Sequence, residues 1–128
     1  MNQSPISHIG QIGITVSDVS KVLPFYKDVL RLDFLFEAGP NLAFLQSADT
    51  RIMLSTALGS TTEPGKNSIL YFKVEDIEQS YEAMVQRGGT AERGPELAAT
   101  MPDHELWLAF LRDPDENLVG LMEEKPIG

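Results

Sequence analysis

Apolar residues alternate with small or polar ones over 11–16: Ile12, Ile14 and Val16 face one way along an extended chain, and Gln11, Gly13 and Thr15 face the other. That alternation predicts a first strand. Ser17 and Asp18 then offer side-chain oxygens to orphan N–H groups, the mark of a helix start. Within that helix Val22, Phe25, Tyr26, Val29 and Leu30 recur at helical spacing and form one apolar stripe. Pro24 is expected near the first turn, where a missing donor does least harm. Three short strands are predicted at 33–37, 42–47 and 51–55, with turns at Gly39-Pro40-Asn41 and Ala48-Asp49-Thr50. Residues 59–67 are polar, rich in breakers and without apolar period, and read as a connector.

The pattern then restarts. A strand at 69–74 leads to Glu75-Asp76, which mirrors Ser17-Asp18, and to a helix over 77–87 that stops at Gly88-Gly89. A short extended piece near 90–92 and an irregular loop over 94–103 come next. The last two strands are predicted at 106–112 and 117–122, joined by the turn Asp113-Pro114-Asp115-Glu116. Val16-Ser17-Asp18-Val19 and Val74-Glu75-Asp76-Ile77 lie 58 residues apart, and the shared order of elements points to an internal duplication.

The length, 128 residues, suits one domain able to bury a core without a disulfide or metal. The chain has no cysteine, which excludes thiolate zinc sites, iron–sulfur clusters and a cysteine nucleophile. It carries 19 acidic and 10 basic residues; residues 65–128 hold 13 of the acids and 6 of the bases. Without a basic stripe, neither nucleic acid nor an anionic membrane is an expected partner. MNQSPISHIG has neither a basic start nor an apolar block, so a cytoplasmic protein is expected.

Two segments carry a resemblance. The run Gln11-Ile-Gly-Ile-Thr-Val-Ser-Asp18 with Phe25-Tyr-Lys-Asp-Val-Leu30, and the closing Phe110-Leu-Arg-Asp-Pro-Asp-Glu-Asn-Leu-Val119, resemble the vicinal oxygen chelate superfamily. That group includes glyoxalase I, bleomycin-resistance proteins, methylmalonyl-CoA epimerase and extradiol dioxygenases. Glu116 stands where the family's closing turn usually has glycine. The resemblance implies an α+β fold of two βαβββ modules, about 8–58 and 66–124, forming a cupped mixed sheet with helices outside, commonly within a homodimer. It places Gln11, Thr15, Leu42, Phe44, Met53, Ser55, Ile69, Tyr71, Leu108, Phe110 and Gly120 toward the cup. Ile14, Val16, Leu54, Phe72, Val74 and Leu121 would pack on the helices.

Active members of that family hold a divalent metal with one side chain from each of four strands. Carried over position by position, those ligands fall on Gln11, Met53, Ile69 and Gly120. Only the glutamine offers a suitable donor, so no metal cofactor is expected. Of the two histidines, His8 is expected to face solvent. His104 lies where a loop would feed the strand of Leu108 and Phe110, and a rim histidine can serve as acid or base. Trp107 has helix-facing parity. Arg51 and Lys73, near strand ends, are cations able to hold a carboxylate.

Two functions follow from the resemblance. The first is a metal-independent binding protein that takes an apolar or aromatic small molecule against Gln11, Phe44, Met53, Ser55, Tyr71, Leu108 and Phe110. The second is a lyase, isomerase or transferase with atypical or no metal. It would use His104 as acid–base, with Tyr71 or Gln11 orienting the substrate.

Overall fold

Strand pairing in the computed structural model, which describes residues 4–56 and 62–127, repeats itself once along the chain. In the first half β1 (Gln11–Thr15) runs parallel to β4 (Thr50–Ser55), and β3 (Leu42–Ser47) and β2 (Asp33–Glu37) add antiparallel beyond it, giving the order β1-β4-β3-β2. The second half has β5 (Leu70–Lys73) parallel to β8 (Leu118–Pro126), followed by β7 (His104–Arg112) and β6 (Thr90–Thr100), in the order β5-β8-β7-β6. Each half is strand, helix, three strands. The expected α+β fold of two βαβββ modules is what the chain adopts.

Asp18 caps the first helix, α1 (Val19–Pro24), its carboxylate accepting from the Ser20 N–H at 2.9 Å. Pro24 does not sit in the first turn. It ends the α-helical stretch, and residues Phe25–Val29 continue as a π-helical turn in which the Leu30 N–H donates to the Phe25 carbonyl at 2.9 Å. A proline cannot donate to the preceding turn, and the wider loop keeps the chain helical past it. Phe25, Tyr26, Val29 and Leu30 all remain buried across that change. The second helix, α2 (Ile77–Gln86), is capped by Asp76 on the Gln79 N–H at 3.1 Å. It closes where the Gly88 and Gly89 N–H groups donate to Val85 and Met84 carbonyls.

Period-two parity sorts the faces. Ile14, Val16, Ala43, Leu45, Ile52, Leu54, Ala109, Leu111, Val119 and Leu121 are buried in one core with Val22, Tyr26, Ile77 and Met84 from the helices. Phe72 and Val74 pack against it half-buried, as does Trp107, whose ring carries the Lys125 ammonium at 4.4 Å. The largest departure from the sequence pattern is β6. The expected loop over 94–103 is strand as far as Thr100, and only a tight turn separates it from His104. Its pairing with β7 shifts register between Ala91 and Arg93, Arg93 and Glu96, and Leu97 and Ala99. Bulges erase the alternation by which a strand is read. β8 likewise runs past Met122 to Pro126. Of the connector, residues 59–61 lie outside the described residues, and 62–67 carry the turn at Pro64-Gly65.

Asn67, in that connector, and the turn after β7 join the two halves through a continuous polar network. The Asn67 side chain accepts from the Thr15 N–H (3.1 Å) and donates to the Thr15 carbonyl (3.0 Å) and to Asn117 Oδ1 (3.0 Å). Asn117 donates to Asp113 Oδ2 at 2.8 Å, and the Tyr26 hydroxyl donates to the same oxygen at 2.7 Å. Asp115 accepts from the Ser17 N–H and hydroxyl and lies 3.6 Å from Lys21. Gly65 packs so closely on this turn that a Cβ would stand 2.6 Å from the Asp115 carbonyl oxygen. Among the described residues, no buried side-chain polar atom lacks a partner. Glu116 is held at φ 70°, a conformation that costs an L-residue about 1 kcal/mol. Glu116→Gly is therefore expected to stabilise the fold by roughly that amount, read as a higher urea midpoint at unchanged slope.

Candidate functional site

Register places the site on the sheet faces that carry no helix. On the first sheet, cross-strand partners form three rows: Gln11–Arg51–Gln46, Gly13–Met53–Phe44, and Thr15–Ser55–Leu42. The middle row is apolar. Phe36 adds its ring to Phe44 at 4.9 Å between centroids. Thr15 and Ser55 are buried, and the Ser55 hydroxyl donates to the Thr56 carbonyl at 3.3 Å, so Ser55 is not displayed with Phe44 and Met53.

On the second sheet one row is Tyr71–Gly120–Phe110, and the next is Lys73–Met122–Leu108. Tyr71 packs against Gly120: a Cβ there would stand 2.6 Å from Tyr71 Cδ1, so the glycine makes room for the ring. Tyr71 meets Phe110 edge-on at 5.8 Å. Tyr71 remains 45% exposed and Ile69 42% exposed. The ligand-binding residues expected from the sequence thus fall into two apolar groups, Phe44 with Met53 and Tyr71 with Phe110 and Leu108, on two sheets that share no strand pairing.

The four positions that would hold a metal can be tested directly. Gln11 Oε1 accepts from Arg51 Nε at 2.9 Å, and Gln11 Nε2 faces Met53 Sδ at 3.6 Å. The one available donor oxygen is therefore already committed to a guanidinium, and a dication beside it would be repelled. Met53 and Ile69 supply no hard donor, and the Gly120 position is covered by Tyr71. Among the described residues, no group of three or more His, Cys, Asp or Glu could hold a metal ion. These residues do not fit a divalent cation.

His104 is the first residue of β7, on the same side of the strand as Leu108 and Phe110 and at the far end of it from Phe110. Its Nδ1 meets Asp103 Oδ1 at 2.7 Å and its Nε2 meets Glu124 Oε2 at 3.2 Å. Glu124 is shared with Lys73 Nζ at 2.8 Å, and that hydrogen bond and charge hold its carboxyl below the usual carboxylate range. The hydrogen bond from His104 does the same for Asp103. His104 pairs with Pro126 across the ladder, whereas Phe110 pairs with Gly120. Six residues of strand separate the two, about 20 Å at the usual rise. The structure does not bring His104 to Tyr71. It places His8 at the surface, bonded to the Ser7 hydroxyl at 2.9 Å.

The apolar rows lie on open faces rather than in an enclosed cavity. A cleft of about 250 Å³ lies at the seam of the halves, between β1–β4 and β5, bounded by Ile12, Ile52, Ile69 and Tyr71. Another, of about 430 Å³, lies on the helix side between Pro24, Val29, Arg87 and Arg112. No helix among the described residues is long and apolar enough to cross a membrane.

Comparison with known proteins agrees with the repeated topology. The profile of the Glyoxalase/Bleomycin resistance protein/Dioxygenase superfamily matches residues 8–121, and the chain belongs to that superfamily. Its relatives include an uncharacterized protein, YraH, of Bacillus subtilis (strain 168), 31% identical over 124 residues, which span 85% of this chain and 92% of that one. Among solved structures, TnmS3, an antibiotic binding protein from Streptomyces sp. CB03234, superposes with a TM-score of 0.79 at 24% identity, covering 96% of this chain and all (100%) of that one. A lactoylglutathione lyase from Agrobacterium tumefaciens superposes at 0.75 with 16% identity, covering 93% of this chain and 95% of that one. At such identities the likeness is one of fold, and the fold carries both binding proteins and enzymes.

Proposed function

We propose that this protein binds a small, largely apolar or aromatic organic molecule against its open sheet faces, without a metal ion. One observation carries the reading: the four positions that would chelate a metal hold Gln11 tied to Arg51, a thioether, an alkyl chain and a glycine packed against a tyrosine ring. Such a surface favours partition of apolar area, at about 25 cal/mol per Å² removed from water. The similarity to an antibiotic binding protein is in keeping with this. The faces are open in one chain, and Phe36, Ile69 and Tyr71 are each more than 40% exposed. A second copy laid over them would enclose the ligand, as in a homodimer. No step of catalysis is assigned to His104, both of whose ring nitrogens are engaged by carboxylates away from the aromatic rows.

The test is calorimetric titration of aromatic compounds into the purified chain before and after exhaustive chelation, with the metal content measured in parallel. Binding with the same affinity in both preparations is expected. Loss of binding on chelation, restored by one equivalent of a divalent metal, would refute a metal-free site.

A further inference from the structure

Arg51 stands on the first open face in cross-strand register with two glutamines, Gln11 and Gln46. The protein carries net charge −9, yet on β1, β4 and β3 the rows of that face, Gln11–Arg51–Gln46, Gly13–Met53–Phe44 and Thr15–Ser55–Leu42, contain no carboxylate; the first row meets one only on β2, at Asp33 opposite Gln46, two strands from Arg51. Arg51 is the only lysine or arginine between residues 32 and 65. It forms no ion pair with any described residue, whereas Lys73 on the other face is held by Glu124 at 2.8 Å.

The guanidinium is nevertheless held in place. Its Nε donates to Gln11 Oε1 at 2.9 Å, and its Cζ lies 5.6 Å from the centroid of the Phe44 ring. That fixes the plane of the fork, while its two terminal nitrogens make no hydrogen bond among the described residues. A pre-oriented guanidinium loses little freedom on meeting a carboxylate and can engage both of its oxygens. Next to it lie Met53 and the paired rings of Phe36 and Phe44.

We infer that Arg51 is the anion-recognising residue of this site, and that the ligand is a flat aromatic carboxylic acid. Its ring lies against Met53 and the Phe36–Phe44 pair, and its carboxylate takes the two free nitrogens of Arg51. This rests on the reading of the open faces as a small-molecule site and adds to it the polar half of the ligand. Gln11 then acts as a positioning residue, holding the guanidinium.

The test compares 2-naphthoate with its neutral analogue 2-naphthamide, titrated into the full chain at low salt. The acid is expected to bind at least about tenfold more tightly, the increment of one charge-assisted contact, and that preference should shrink as salt is raised. Arg51→Gln should bring the acid down to the level of the amide, and Arg51→Lys should retain part of the preference. Equal affinity for acid and amide in the unmodified protein overturns the inference alone, as does a preference that survives Arg51→Gln. Failure of both compounds to bind overturns the small-molecule reading with it. Should Arg51→Gln not fold, the Arg51 Nε–H resonance of the unmodified protein serves instead. It is expected to shift with 2-naphthoate and not with 2-naphthamide, and no shift with the acid overturns the inference.

Discussion

Asn67→Ala is expected to lower the unfolding free energy by about 3 kcal/mol or more, a large share of what a domain of this size possesses. The substitution removes the partner of the Thr15 N–H and of the Thr15 carbonyl together, and leaves Asn117 Oδ1 with only the backbone N–H of residue 67, at 3.2 Å. Thr15 and Asn117 are 5% and 3% exposed, so water does not readily replace the amide, and each group left without its bond costs about 1–3 kcal/mol. Asn67→Asp separates hydrogen bonding from shape. An aspartate can still accept from the Thr15 N–H, but it sets negative charge against the Thr15 carbonyl and Asn117 Oδ1 and can donate to neither. It should therefore be destabilising by a comparable amount although it is almost the same size. Urea unfolding of the three proteins checks both statements, and a loss below about 1 kcal/mol in Asn67→Ala would show that the amide is not the joint between the halves.

That joint was not legible in the sequence, for a physical reason. Asn67 falls in a polar stretch rich in breakers, where asparagine is an ordinary turn former, and its partners Thr15 and Asn117 lie 52 and 50 residues away. Local pattern carries no information about such a contact. The turn Asp113-Pro114-Asp115-Glu116 was readable as a turn, but not the inward aim of Asp113, which takes the Tyr26 hydroxyl and the Asn117 amide. By contrast, the helix caps Asp18 and Asp76 and the buried parity of Ile14, Val16, Leu54 and Leu121 depend only on residues a few positions apart, and those expectations held. β6 was lost because its three register shifts break the period that identifies a strand. In the site, the family resemblance put Phe44, Met53, Tyr71 and Phe110 toward the cup, and strand register sets them on the open faces. The resemblance could not show that Tyr71 packs against Gly120, that Ser55 is buried, or that Gln11 is committed to Arg51, because each depends on where a neighbouring side chain ends.

Tyr26→Phe tests the same network from the other side and gives a signature in pH. The Tyr26 hydroxyl donates to Asp113 Oδ2 at 2.7 Å in a site where the ring is 1% exposed. Burial first, and then the charge and hydrogen bond of Asp113, push the ionisation of Tyr26 far above the ordinary range of tyrosine. In the unfolded chain the same hydroxyl ionises near pH 10. The stability contributed by Tyr26 is thus complete below about pH 10 and is lost as pH rises beyond it, because unfolding then releases a proton. At neutral pH Tyr26→Phe should be less stable by about 2 kcal/mol, the worth of a hydrogen bond to a buried carboxylate. Above pH 10 the unmodified protein should lose about 1.4 kcal/mol per pH unit that the variant does not lose. The two stabilities should therefore converge between about pH 11 and 12. Tyr81, whose ionisation is also raised by burial, is present in both proteins and cancels in the difference. Urea midpoints measured from pH 8 upward on both proteins decide it. A gap that stays constant through that range would mean that Tyr26 does not donate its proton to Asp113 in the folded protein.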